Sequence, residues 1–179
     1  MTNQGESNYG RPLLEEGASF LAPVERVTPI NERAANAVAT YSEYLGPTLG
    51  FIEQVYCMRP LAGQDGRTLV VLRNRRKDRA VAMIYSVKEL PYLTLWKNTA
   101  AEAEGYVTGI EPGTNFPNHR RIERKFGRVP RLPGGAGHQA TLDFEILTTD
   151  GQIRRATDRV AIIQAQRKPV IARRPENTN

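Results

Sequence analysis

Glu111 is the residue of this chain best placed to do chemistry. It closes an apolar run from Tyr106 to Ile110 and is followed at once by a turn containing Pro112, Gly113, Asn115 and Pro117. A carboxylate at such a strand-to-loop junction is held by rigid sheet on one side, while loop atoms approach a ligand from the other. That placement suits a general base, which needs a hydroxyl proton within hydrogen-bond reach. It equally suits an acid that accepts backbone hydrogen bonds and pins the loop, and spacing alone leaves both roles open.

Other residues could serve a ligand near it. Asn115 sits in the same turn, and His119 follows in the same loop, where it could donate a proton or simply lie on the surface. Trp96 and Lys97 are adjacent: an indole face covers apolar C–H groups and an ammonium donates to hydroxyls, although core packing is the competing role for Trp96. Glu53, Gln54 and Tyr56 form a further polar group, but strand alternation points Glu53 away from Gln54, so at most one of those two faces a common groove. His138 lies in the glycine-rich turn Gly134 to Gly137 and reads as solvent-exposed. Cys57 is the single cysteine. It reads as a small buried apolar residue, and it excludes an internal disulfide, a cysteine zinc cluster or a redox pair. No metal and no cofactor is expected.

The elements that must position these residues read mainly as strands. Phe51 to Met58, Thr68 to Leu72, Ala80 to Val87, Tyr92 to Trp96 and Tyr106 to Ile110 are short runs of β-type residues. Turn signals separate them at Gly63 to Gly66 and Asn74 to Asp78. An antiparallel meander is the simplest arrangement. Gln139 to Leu147 alternates, with Ala140, Leu142, Phe144 and Ile146 on one face, and predicts a half-buried strand. Asp150-Gly151 reads as a hairpin turn and Val160 to Gln164 as a last strand. One short helix is expected within residues 31–44, with Asn31 as its cap and Gly46-Pro47 ending it. The fold class is therefore all-β, an antiparallel sandwich. One domain is expected over residues 1–165, with 166–179 as a flexible tail.

Composition bounds the function classes. The 179 residues are 40% hydrophobic and 25% charged, which fits a globular chain of one domain. The longest apolar stretches fall far short of the ~20 residues a membrane span requires. The first twenty residues contain Glu6, Glu15 and Glu16 and do not form a secretory signal, so the expected location is the cytoplasm. The net charge of +6 raises the question of a polyanion partner. Its basic clusters, Arg73 to Arg79, Arg120 to Arg131 and Arg154 to Arg174, hold a single aromatic, Phe126, and so lack the interleaved aromatics of a base-stacking platform. They read as solvated surface, and nucleic acid is only a second alternative to the partner argued next.

Five blocks, in order, resemble a known family. These are SNYGRPLLEEGA from Ser7, LGFIEQVY from Leu49, LPYLTLWKN from Leu90, GYVTGIEPGTNFPN from Gly105, and FGRVPRLPGG with QATLDFEI from Phe126 onward. They are similar to the C-terminal half of the aldose 1-epimerase-like proteins grouped under a domain of unknown function, which share the fold of galactose mutarotase. The resemblance implies part of a large two-sheet β-sandwich that binds a sugar or sugar derivative in a groove. It implies interconversion of anomers by acid–base ring opening, with Glu111 as the base and Asn8, Glu53, Trp96, Lys97 and Asn115 as substrate-binding residues.

The chain departs from that pattern in two ways. Where relatives carry a histidine before Asn-aromatic-Gly, this chain has Glu6, followed by Asn8, Tyr9 and Gly10. The candidate acids are then Glu6, which needs burial to hold its proton, and His119. Without an acid the chain is a non-catalytic carbohydrate-binding module. Relatives are also about twice as long, so a missing N-terminal half or a partner in a homo-oligomer is expected to complete the groove.

Overall fold

A computed structural model of the chain describes residues 13–176. Its strands are β1 (Glu16–Leu21), β2 (Val24–Pro29), β3 (Glu43–Leu45), β4 (Gln54–Pro60), β5 (Arg67–Arg73), β6 (Ala80–Ser86), β7 (Tyr92–Asn98), β8 (Val107–Gly113), β9 (Leu142–Leu147) and β10 (Val170–Ile171). They form two five-stranded sheets, β3-β1-β5-β6-β9 and β10-β2-β4-β7-β8. All pairings are antiparallel except β10 on β2. The chain is a β-sandwich.

Alternation explains the layering. Every second residue of each sheet points inward, and Phe20, Tyr44, Val70 and Tyr85 from the first sheet meet Val27, Tyr56, Met58, Leu93 and Leu95 from the second in one buried core. The first sheet is buried on its other face too. There Leu69, Val71, Ala80, Ala82, Ile84 and Leu147 pack under helix α3 (Asp150–Gln164) through Ile153, Ala156, Val160 and Ile163. Near-continuous apolar runs such as Leu69 to Leu72 follow from burial on two sides.

Two expectations change. First, the strands do not run as a simple meander. The Gly63 to Gly66 turn is present, with Gly66 at φ 74°, but it carries the chain from β4 in one sheet to β5 in the other. The hairpins are β5–β6 and β7–β8. Second, Asp150-Gly151 is no hairpin turn and Val160 to Gln164 no strand, since both belong to α3. Thr149 caps that helix reciprocally with Gln152. The apolar residues at 153, 156, 160 and 163 have the helical spacing that buries one face. The helix expected in 31–44 is present as the short α1 (Glu32–Asn36), capped as expected by Asn31, whose Oδ1 accepts from the Ala34 amide at 2.9 Å. A 3-10 turn at Val38–Thr40 and then β3 follow it.

Residues 170–176, read above as tail, contact the sandwich. β10 pairs with β2, the Ala172 amide donates to the Val27 carbonyl, and Glu176 forms an ion pair with Arg128. Among the described residues no helix is long and apolar enough to cross a membrane.

Candidate functional site

The site is built on the outer face of the second sheet. Its register pairs Thr94 with Glu111 and Trp96 with Gly109, and paired residues of an antiparallel ladder share a face. Thr94, Trp96, Gly109 and Glu111 therefore form one outward patch across β7 and β8. Gly109 has no side chain, and the Glu111 carboxylate lies over it. The carboxylate is thereby turned toward the Trp96 end of the patch. Glu111 is exposed and has no hydrogen bond or ion pair among the described residues.

Beyond Glu111 the chain folds back over the sheet. Thr94, Glu111, Pro112, Gly113, Asn115, Phe116 and Pro117 line a shallow groove of about 200 Å³. Phe116 is buried, with its ring 4.7 Å from that of Tyr92. The Asn115 amide group donates to the Phe116 carbonyl at 2.6 Å, which fixes the turn at the groove wall. The groove is smaller than the ~300 Å³ at which ligand sites begin.

The loop is pinned by a residue the sequence reading passed over. Glu123, on α2 (Arg120–Lys125), has a side chain that is 0% exposed beside an Arg128 that is 2% exposed. Its carboxylate accepts from the Phe116 amide at 3.1 Å, from Asn118 Nδ2 at 2.8 Å, and from Arg128 Nε and Nη2 at 2.7 Å each. Arg128 also donates to Glu176 at 2.8 Å and stacks against Phe116 and Phe126. Burial alone raises the Glu123 carboxyl pKa, but the bonds from Arg128, Asn118 and the Phe116 amide outweigh it, and the group sits below its ordinary value. Arg128 and Glu123 thus correct the reading of residues 120–131 as wholly solvated. The available signal was an acid and a base flanking Gly127, where the chain turns at φ 67°.

The remaining candidates fall in three places. Trp96 is half-buried on the outer patch, and its Nε1 donates to Glu53 Oε2 at 3.1 Å, which brings both residues to the far end of the Glu111 patch. Lys97 is on the opposite face, as alternation requires: it is 5% exposed, and its ammonium donates to the carbonyls of Tyr41 and Glu43 and lies over the Tyr44 ring. It therefore cannot share a groove with Trp96 and Glu111, and burial pulls its pKa down to about 8. His119 is exposed at the N-cap of α2, where Nδ1 accepts from the Arg121 amide at 3.3 Å. Its ring is engaged as a helix cap. Glu6 and Asn8 lie outside the described residues.

Two further groups matter for chemistry. Cys57 is buried with its thiol pKa pushed up to about 12, first by burial and then by Glu123, so it is no nucleophile. Among the described residues no group of three or more His, Cys, Asp or Glu is arranged to hold a metal ion.

No curated protein matches the chain. A solved structure does: a "putative aldose 1-epimerase" from Klebsiella pneumoniae subsp. pneumoniae MGH 78578, 39% identical, superimposes with a TM-score of 0.90. The match covers 95% of this chain but 44% of that one, so this chain spans less than half the length of the crystallised protein. The domain of unknown function DUF4432 matches residues 6–146, a stretch that holds every strand from β1 to β8, most of β9 and the whole Glu111 patch. Fold, sequence blocks and family match agree, and the chain belongs to the DUF4432 family.

Proposed function

We propose that this chain carries the proton-accepting wall of a sugar site of the aldose 1-epimerase type, with Glu111 as the general base. The observation that carries the reading is the state of Glu111: an exposed carboxylate with no partner among the described residues, laid over a glycine, at the mouth of a groove, on a rigid strand. A carboxylate that anchored the loop would be bonded to it, and that work is done by Glu123. In the proposed reaction Glu111 takes the proton of the anomeric hydroxyl and the bond from the anomeric carbon to the ring oxygen breaks. The ring oxygen takes a proton from an acid, and the open aldehyde rotates before the steps reverse. Glu53 and Trp96 extend the sugar-facing patch.

A second reading, a carbohydrate-binding module without catalysis, is favoured by one observation: the described residues lining the groove include no histidine, and His119 is engaged as a helix cap. The deciding experiment measures anomer exchange and sugar binding on wild type and Glu111→Gln. Glutamine keeps the size and one acceptor of glutamate but takes no proton, so exchange is expected to fall by ~10² to 10⁴-fold while binding and folding hold. Binding without exchange in the wild type establishes the module reading. Exchange that survives the substitution removes Glu111 as the base.

A further inference from the structure

The sandwich has one tied side and one open side. On the tied side the Tyr44 hydroxyl, on β3, lies 2.9 Å from the Thr108 hydroxyl on β8. The opposite side is edged by β9 in one sheet and by the two-residue β10 in the other. Register sets Leu142, Phe144 and Ile146 of β9 across from Tyr85, Met83 and Val81. They therefore lie on the inward surface.

Inward residues should be covered, and these are not. Tyr85 is buried in the core, yet Phe144 is 62% and Ile146 69% exposed, and Leu142 and Val81 are exposed as well. This is the last expectation that changes: the alternating strand has its apolar face uncovered. On its other face stand Asp143, paired with Arg67, and Glu145. An edge strand whose apolar face is left uncovered by the described residues is a template for another strand.

We infer that the β9 edge is a docking surface for a second β-sheet segment of the same family, equivalent to the part of the crystallised relative outside the 44% that this chain matches. The segment continues the sheets past β9 and β10 and covers the Leu142, Phe144, Ile146 stripe. Its docking strand alternates apolar residues inward with neutral or basic residues opposite Asp143 and Glu145. Charge argues against a second copy as the occupant. Pairing β9 with itself about Phe144 keeps the apolar stripe together but sets Asp143 against Glu145 twice, and like charges directly opposite are destabilising.

The test co-expresses the full chain with the portion of the Klebsiella relative that this chain does not match, and follows the purified material by sedimentation velocity and amide exchange. A one-to-one complex is expected, with exchange slowed at 142–147. Phe144→Glu with Ile146→Glu is expected to weaken it at least ~10-fold. Both side chains are exposed, so the variant should keep the thermal midpoint of the isolated chain, which is checked in parallel. The inference is overturned if the added segment stays insoluble or unbound, or if the complex ignores the double substitution. It is equally overturned if the chain alone forms a homodimer that the substitution breaks.

Discussion

Gly109 and Glu111 share one face of β8, and the Glu111 carboxylate occupies the space a side chain at 109 would need: a Cβ there would meet Oε1 at 2.5 Å. Gly109 is not among the residues with positive φ, so alanine fits its backbone. The conflict then falls on the flexible end of Glu111 and leaves the sheet alone.

Gly109→Ala is therefore expected to fold with a stability change under ~1 kcal/mol while turning the carboxylate out of its seat. A displacement of about 1 Å costs on the order of 10²-fold in a positioned reaction. Anomer exchange and thermal unfolding measured on one preparation check this. Full activity in a folded Gly109→Ala protein shows that the seat of Glu111 does not matter.

That relationship was open to a sequence reader, because a glycine inside a strand marks a close approach and residues 109 and 111 are two apart. Alternation likewise separates Trp96 from Lys97, as it separates Glu53 from Gln54. Other features were hidden for physical reasons. Val160 to Gln164 is a short apolar run that strand and helix share, and only the wider spacing from Ile153, with the Thr149–Gln152 box, identifies α3. The exposure of Phe144 depends on what stands opposite β9, which no local pattern contains. Burial of Glu123 and Arg128 depends on Phe116, Asn118 and Glu176 converging on them.

Lys97 gives stability an alkaline signature. Its folded pKa, lowered by burial to about 8, lies below the ~10.4 of an unfolded lysine. Between those values the folded state binds fewer protons, so stability rises with pH through that window and is flat below it. Up to pH 10 the gain is on the order of 2 kcal/mol. Above 10 the tyrosines reverse it, since burial holds Tyr44, Tyr56 and Tyr106 up to about 12 and their proton is lost first on unfolding. Urea unfolding across this range is expected to show the rise in wild type and its loss in Lys97→Met. A rise that persists in Lys97→Met assigns it to another group.

Trp96 is the single tryptophan of the chain, so its emission reports on one place. Its indole nitrogen donates to Glu53 at the end of the Glu111 patch. Titration with a free aldose is expected to change the emission saturably, because stacked C–H groups displace water from the ring. Glu53→Gln should shift the starting spectrum. A flat titration under conditions where binding is seen by another method takes Trp96 out of the sugar face.

The Glu123–Arg128 pair is expected to decide whether the groove wall exists. Glu123→Gln leaves a buried guanidinium between Phe116 and Phe126 with Glu176 as its remaining carboxylate, a loss of about 3–5 kcal/mol for breaking a buried pair. Arg128→Met strands the Glu123 charge and should cost a similar amount. The double substitution should cost less than the two losses added, since each partner's main penalty is the other's unpaired charge. The acid limb follows from the same contacts. Because the folded Glu123 pKa is depressed, its contribution is complete above the ~4.3 of an unfolded glutamate and is lost as pH falls through the folded value. Wild type should therefore lose stability below about pH 4 more steeply than Glu123→Gln. Urea unfolding of the four proteins at neutral and acid pH measures both effects. Additive losses, or a Glu123→Gln cost under ~1 kcal/mol, would mean that the Asn115 to Pro117 wall stands without this pair and that the turn after Glu111 is held by its own prolines.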